Sequence, residues 1–149
     1  MVLTSQLKDD ANQAMKSGEA LELETLRGLL AALHNREIEL RTKSGELTEE
    51  EVLAVLGREA KKRKEAGQIY TGAGREDLAD KESKELEIIK KYLPPEMNRD
   101  EIEAIVKKVI GEGVTDFGRV MGAVVKETKG RAEPGVVKEI VEKMLDISK

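Results

Sequence analysis

Cysteine and tryptophan are absent from this chain, and aromatic residues of any kind make up 2% of its 149 positions. Without cysteine there can be no disulfide, no thiolate nucleophile and no thiolate-bound zinc, and the chain suits a reducing compartment. His34 is the single histidine. One imidazole supplies neither a metal-binding pair nor a triad without converging partners, and its place on a leucine-rich helix marks it as a surface or partly packed side chain. No apolar run approaches the ~20 residues that cross a bilayer. The first ten residues carry Asp9 and Asp10 and no apolar stretch, so they do not read as a signal peptide. The chain is therefore expected to be cytoplasmic and to have no membrane partner. Also missing are a Walker-type glycine loop, a strand followed by a dinucleotide-binding glycine cluster, and the Gly/Ser-rich nucleophile loop of amidase-type glutamine hydrolases. These absences predict no catalytic residue, no metal and no cofactor.

The residues that are present favour helices. Ala, Leu, Glu, Lys and Arg dominate, charged residues make up 38%, and β-branched residues cluster after position 100, so an all-α fold is expected. Net charge is −4, so any contact with nucleic acid must come from a local basic patch. DNA is not expected as a partner.

Apolar spacing of three and four residues predicts seven helices. The first covers about 4–16 and stops at Gly18. The second covers about 20–41, with Leu23, Leu26, Leu30, Leu33 and Leu40 on one stripe and Leu29 beside it, and Gly45 breaks the chain after it. Thr48 and Glu51 form a capping box that opens a third helix to about Tyr70, with Val52, Leu56 and Ala60 inward. Thr71 to Gly74 read as a loop. A fourth helix runs from about Glu76 to Tyr92 and ends at Pro94-Pro95. Asn98 and Glu101 cap a fifth, which Gly111 and Gly113 close. A sixth covers about 116–128, ending before Gly130, and Pro134 suits the first turn of a seventh. The predicted organisation is an N-terminal helical domain, residues 1–95, followed by a small C-terminal three-helix bundle, residues 96–149.

Two clusters of basic residues stand out. Arg58, Lys61, Lys62, Arg63 and Lys64 wind around nearly the whole third helix, interleaved with Glu59 and Glu65 at ion-pair spacing, and read as a solvated face. The sixth helix is different. With Gly118 at 0° on a helical wheel, Gly122 falls near 40°, Lys126 near 80° and Arg119 near 100°, and Lys129 would fall near 20° if the helix reached it. Phe117, Val120, Met121, Val124 and Val125 occupy the other side and account for packing. The glycines have no such role, and each costs about 1 kcal/mol relative to alanine in a helix interior. Something should approach that strip closely. A polyanion backbone suits it, because Arg119, Lys126 and Lys129 rim the strip, and Arg131 in the following Gly130–Pro134 turn would extend the rim. A second occupant would be another helix, from this chain or from a partner protein.

The run Gly118-Arg119-Val120-Met121-Gly122-Ala123-Val124, followed by Lys129 to Pro134 and Val137, resembles the tail motif of the GatB/YqeY family. The stretch from Leu26 to Glu39, the segment Gly74 to Ala79 and Tyr92-Leu93-Pro94 resemble the free-standing YqeY proteins. The likeness runs along essentially the whole chain in one order. It implies an all-helical fold with a tail-like C-terminal bundle. In the glutamine-dependent amidotransferases that amidate misacylated Glu-tRNA or Asp-tRNA, the related B-subunit tail binds the tRNA body. Their chemistry lies on a separate amidase subunit and on a cradle domain, which this chain lacks. The resemblance thus implies a tRNA-binding accessory domain, non-catalytic alone, with an amidotransferase or aminoacyl-tRNA synthetase as protein partner. The family label of carbon–nitrogen ligase with glutamine as amido-nitrogen donor would be inherited from the larger enzyme. Gly118, Arg119, Gly122, Lys126, Lys129 and Arg131 carry over as RNA-binding candidates. The competing functions are a protein-interaction module built on the Gly118/Gly122 face and an amidotransferase component active only in a complex.

Overall fold

The computed structural model describes residues 2–129 and 131–145; Gly130 and the turn expected around it therefore lie partly outside the described residues. Seven helices and no strand occur among them: α1 (Val2–Ser17), α2 (Ala20–Thr42), α3 (Glu49–Gly72), α4 (Glu76–Lys90), α5 (Arg99–Gly111), α6 (Phe117–Thr128) and α7 (Pro134–Met144). The fold is all-α. The chain divides into two compact units, residues 1–93 and 94–149.

Helix starts follow side-chain chemistry. Thr48 Oγ1 accepts from the Glu51 amide (3.2 Å), Asn98 Oδ1 from the Glu101 amide (2.9 Å) and Asp116 Oδ2 from the Arg119 amide (3.1 Å), each satisfying an amide that the first turn leaves open. Only half of the expected Thr48 box forms. The Glu51 carboxylate turns to Arg36 on α2 instead, at 3.0 Å, and that guanidinium holds it below the usual carboxylate range. Pro134 occupies the first turn of α7, where no amide is needed. At the ends, α3 continues through Thr71 and Gly72, which the sequence assigns to a loop. Thr71 Oγ1 donates back to the Gly67 carbonyl (2.9 Å), and α3 pairs closely with α4, which carries the helix one turn further. The chain leaves helical geometry after Lys90, before the prolines, through turns at Tyr92 and Leu93.

In the first unit, α1 pairs with α2, and α2, α3 and α4 pack on one another. Its core includes Leu7, Leu26, Leu29, Leu33, Val52, Leu56 and Ile89, all but Leu33 with no exposed surface. Thr25 is buried too, its hydroxyl donating to the Leu21 carbonyl (2.8 Å). The Tyr92 hydroxyl, at the chain's exit from α4, donates to Asp10 of α1 (2.5 Å), and burial together with that carboxylate pushes its pKa up. In the second unit α5, α6 and α7 pack pairwise around Ile102, Val106, Val109, Val120, Val124, Val137, Ile140 and Val141. The segment 95–98 is fastened to this unit: Arg131 Nε donates to the Pro95 carbonyl (2.9 Å), and the Met97 amide donates to the Arg131 carbonyl (2.8 Å).

Candidate nucleic-acid interface

The apolar stripe of α6 orients the candidate face. Val120 and Val124 are fully buried, so the opposite side of the helix, with Gly118, Arg119, Gly122 and Lys126, is turned to solvent. A Cβ added at Gly122 would meet no atom within 4 Å, and one at Gly118 would meet only the Asp116 cap carboxylate, at 3.4 Å. Among the described residues, then, no helix of this chain packs on the strip. Its two flanks differ in character. Arg119 and Lys126 line one side, while Val125, 49% exposed, and half-buried Met121 line the other.

The helix does not reach Lys129. Lys129 is its C-cap, in the left-handed region (φ 50°, ψ 43°), with its amide donating to the Val125 carbonyl (3.2 Å). A lysine at a position where glycine is at ease costs roughly 1 kcal/mol. Its side chain is exposed at the end of the glycine strip. Among the described residues, no carboxylate lies within ion-pair distance of Arg119, Lys126 or Lys129. Glu127, the one acid within α6, faces away and is taken by Lys108 of α5 (2.5 Å), which holds that ammonium charged more firmly than usual. Two cations along one flank and a third at the end of the strip thus have no acid partner among the described residues. Arg131 is set apart. It is half-buried, and its guanidinium is turned to Pro95.

The basic residues of α3 behave otherwise. Lys62 and Arg63 both bond Glu59 (2.9 and 2.8 Å), Arg63 also approaches Glu85 of α4 (3.8 Å), and Lys61 faces Glu65 (3.9 Å). Burial raises the Glu85 carboxyl above its ordinary range, with Glu82 adding to the effect and Arg63 opposing it. Gly28 of α2 lies under this group: a Cβ there would stand 3.8 Å from the Arg63 guanidinium. The pairs within α3 follow the spacing of Glu59 and Glu65 in the sequence, but the reach of Arg63 to Glu85 on α4 and its place over Gly28 have no signal there. His34 is exposed on α2, and among the described residues no group of three or more His, Asp or Glu could hold a metal ion. No described helix is long and apolar enough to cross a membrane.

Comparison with known proteins identifies relatives along the whole chain. A family model described as YqeY-like protein matches residues 4–145. The chain is 34% identical over 148 residues to "Altered inheritance of mitochondria protein 41, mitochondrial" of Clavispora lusitaniae, covering 93% of this chain and 85% of that protein. The protein of the same description from Saccharomyces cerevisiae is 30% identical over 129 residues, covering 80% and 69%. That from Vanderwaltozyma polyspora is 34% identical over 109 residues, covering 71% of this chain and 57% of its own length. A family match that takes in both compact units, together with relatives aligned over most of the sequence, shows that the chain belongs to the YqeY-like family.

Proposed function

We propose that this protein is a tRNA-binding accessory module that serves glutamine-dependent amidation of tRNA-linked amino acids and is not a catalyst alone. The observation that carries the reading is the open strip on α6. Beyond its chain neighbours and the backbone of α6 itself, no described atom stands within 4 Å of a Cβ at Gly122, and among the described residues exposed Arg119, Lys126 and Lys129 have no acid partner. A bare helix surface lets a phosphodiester backbone come close, and unpaired cations along one flank supply the counter-charge. The GatB-tail motif on these residues supports the same reading and brings an amidotransferase or an aminoacyl-tRNA synthetase in as protein partner. The sequence alone points to the cytoplasm, whereas the relatives are named as mitochondrial proteins, which favours that compartment in this reading.

Exposed Val125 on the other flank favours a second reading, in which a partner helix lies on the glycines. Salt separates the two. Gel-shift titration of the full chain with total tRNA should show binding that weakens steeply with added salt, with a slope near −0.7 to −0.9 for each phosphate contact. Binding that ignores salt, or no binding at low salt, would sink the RNA reading and leave the partner helix.

A further inference from the structure

We propose that Arg131 is a latch that positions Lys129 and takes no phosphate itself; the Lys129 half of this rests on the RNA-binding reading above. Arg131 stands where three segments of the second unit meet. Its amide donates to the Thr128 carbonyl at the end of α6 (3.0 Å), its carbonyl accepts from the Met97 amide (2.8 Å), and its Nε donates to the Pro95 carbonyl (2.9 Å). The first bond ties Arg131 back to the last residue of α6, next to Lys129, whose backbone is left-handed. The other two fasten that turn to the segment entering α5. Met97 is further held by packing on the core, and Asn98 by capping α5, so the entering segment is a firm anchor. A lysine in a strained cap keeps one direction only while its surroundings determine it. Arg131 commits its Nε–H to the Pro95 carbonyl and its backbone to Thr128 and Met97, so the residue as a whole ties this turn to the segment before α5.

The test combines amide hydrogen exchange with tRNA gel shifts on the full chain, for wild type, Arg131→Ala and Arg131→Gln. In Arg131→Ala the Met97 amide should exchange at least about tenfold faster, because its partner turn has lost one of two ties. tRNA affinity should fall about fivefold with the salt slope unchanged, since no phosphate contact is lost. That loss should vanish in a Lys129→Ala background and persist in an Arg119→Ala background, as coupling through Lys129 requires. Arg131→Gln keeps a donor and drops the charge, so it should retain both Met97 protection and affinity. It also carries the comparison if Arg131→Ala loses protection throughout α5–α7. Unchanged Met97 exchange in Arg131→Ala overturns the latch. A slope reduced by nearly one, or additivity with Lys129→Ala, overturns the positioning role in favour of direct contact. If wild type binds no tRNA, the positioning role falls with the RNA reading, while Met97 exchange still decides the latch.

Discussion

The two compact units leave their most prominent basic side chains in different surroundings. In the first, basic residues near the packed helices are engaged internally: Arg36 bonds Glu51 and Glu39, and Arg63 joins Glu59 and approaches Glu85 under partial burial. Its core is mostly leucine. In the second, the core is built of valine and isoleucine, the ion pairs lie at its surface, and among the described residues the cations of α6 have no ion-pair partner. A run of basic residues on a helix is therefore weak evidence for polyanion binding. In the denser run, on α3, Lys62 and Arg63 are engaged by Glu59 and Glu85, whereas among the described residues the sparser set on α6 has no acid partner. Charge availability depends on where the nearest acids fall after packing, which linear density does not report.

The chain carries its own reporter for mutational tests of the two units. Both tyrosines, Tyr70 and Tyr92, lie in the first unit, so tyrosine fluorescence follows that unit alone. Leu26→Ala, at a site with 0% exposure, should destabilise the first unit by about 3 kcal/mol in urea titrations read by tyrosine. A loss below about 1 kcal/mol would mean that the leucine core packs more loosely than its burial indicates. Arg63→Ala should cost the same unit about 2 kcal/mol, because Glu59 and Glu85 lose their shared cation while partly buried. Arg119→Ala should leave exchange protection of α5–α7 within about 0.5 kcal/mol of wild type. If the two arginines behave alike, the contrast between internal and available charge fails.

Gly122→Ala should stabilise the second unit by up to about 1 kcal/mol, since the new methyl meets open space, and should weaken tRNA binding. Destabilisation of that size would show a neighbour on the strip. The smallest effect is in pH dependence. Glu85 has its folded pKa raised by burial, so the stability it contributes is present below the ordinary carboxylate range and is lost as pH rises through the raised value. Glu85→Gln should remove that fall from the tyrosine-detected melting profile just above the ordinary range. Glu51, lowered by Arg36, works in the other direction, its contribution being lost as pH falls through its lowered value. A wild-type profile that Glu85→Gln leaves unchanged would place Glu85 outside the network.

Much of the fold was legible because helix starts are local events. Thr48 and Asn98 announce their caps within four residues, and Pro134 marks a first turn without help from the rest of the chain, whereas Asp116, expected inside the sixth helix, is its cap. Ends were harder. Thr71-Gly72 resembles a breaker, yet the packing of α3 on α4 and the back-bond to Gly67 override that local preference. The candidate face was legible as a pattern on a wheel, but its openness depends on what three helices leave uncovered. The roles of Arg63 and Arg131 could not be read in advance. One requires knowing that α4 places Glu85 beside α3 with Gly28 of α2 beneath, and the other depends on a hydrogen bond across 36 positions.

The tie between Arg131 and the Pro95–Met97 segment also bears on how the small unit could be transplanted. A cassette cut at the first helical residue, Arg99, would discard the Pro95 carbonyl, the Met97 amide and the Asn98 cap, and would strip a half-buried methionine from the core. One cut at Pro94 carries its own fastening. Grafted onto a foreign scaffold, the longer version should arrive with its lysine-bearing turn already shaped, whereas the shorter one would depend on its host to rebuild it. For a bundle this small, the portable boundary is drawn by hydrogen bonds outside the helices.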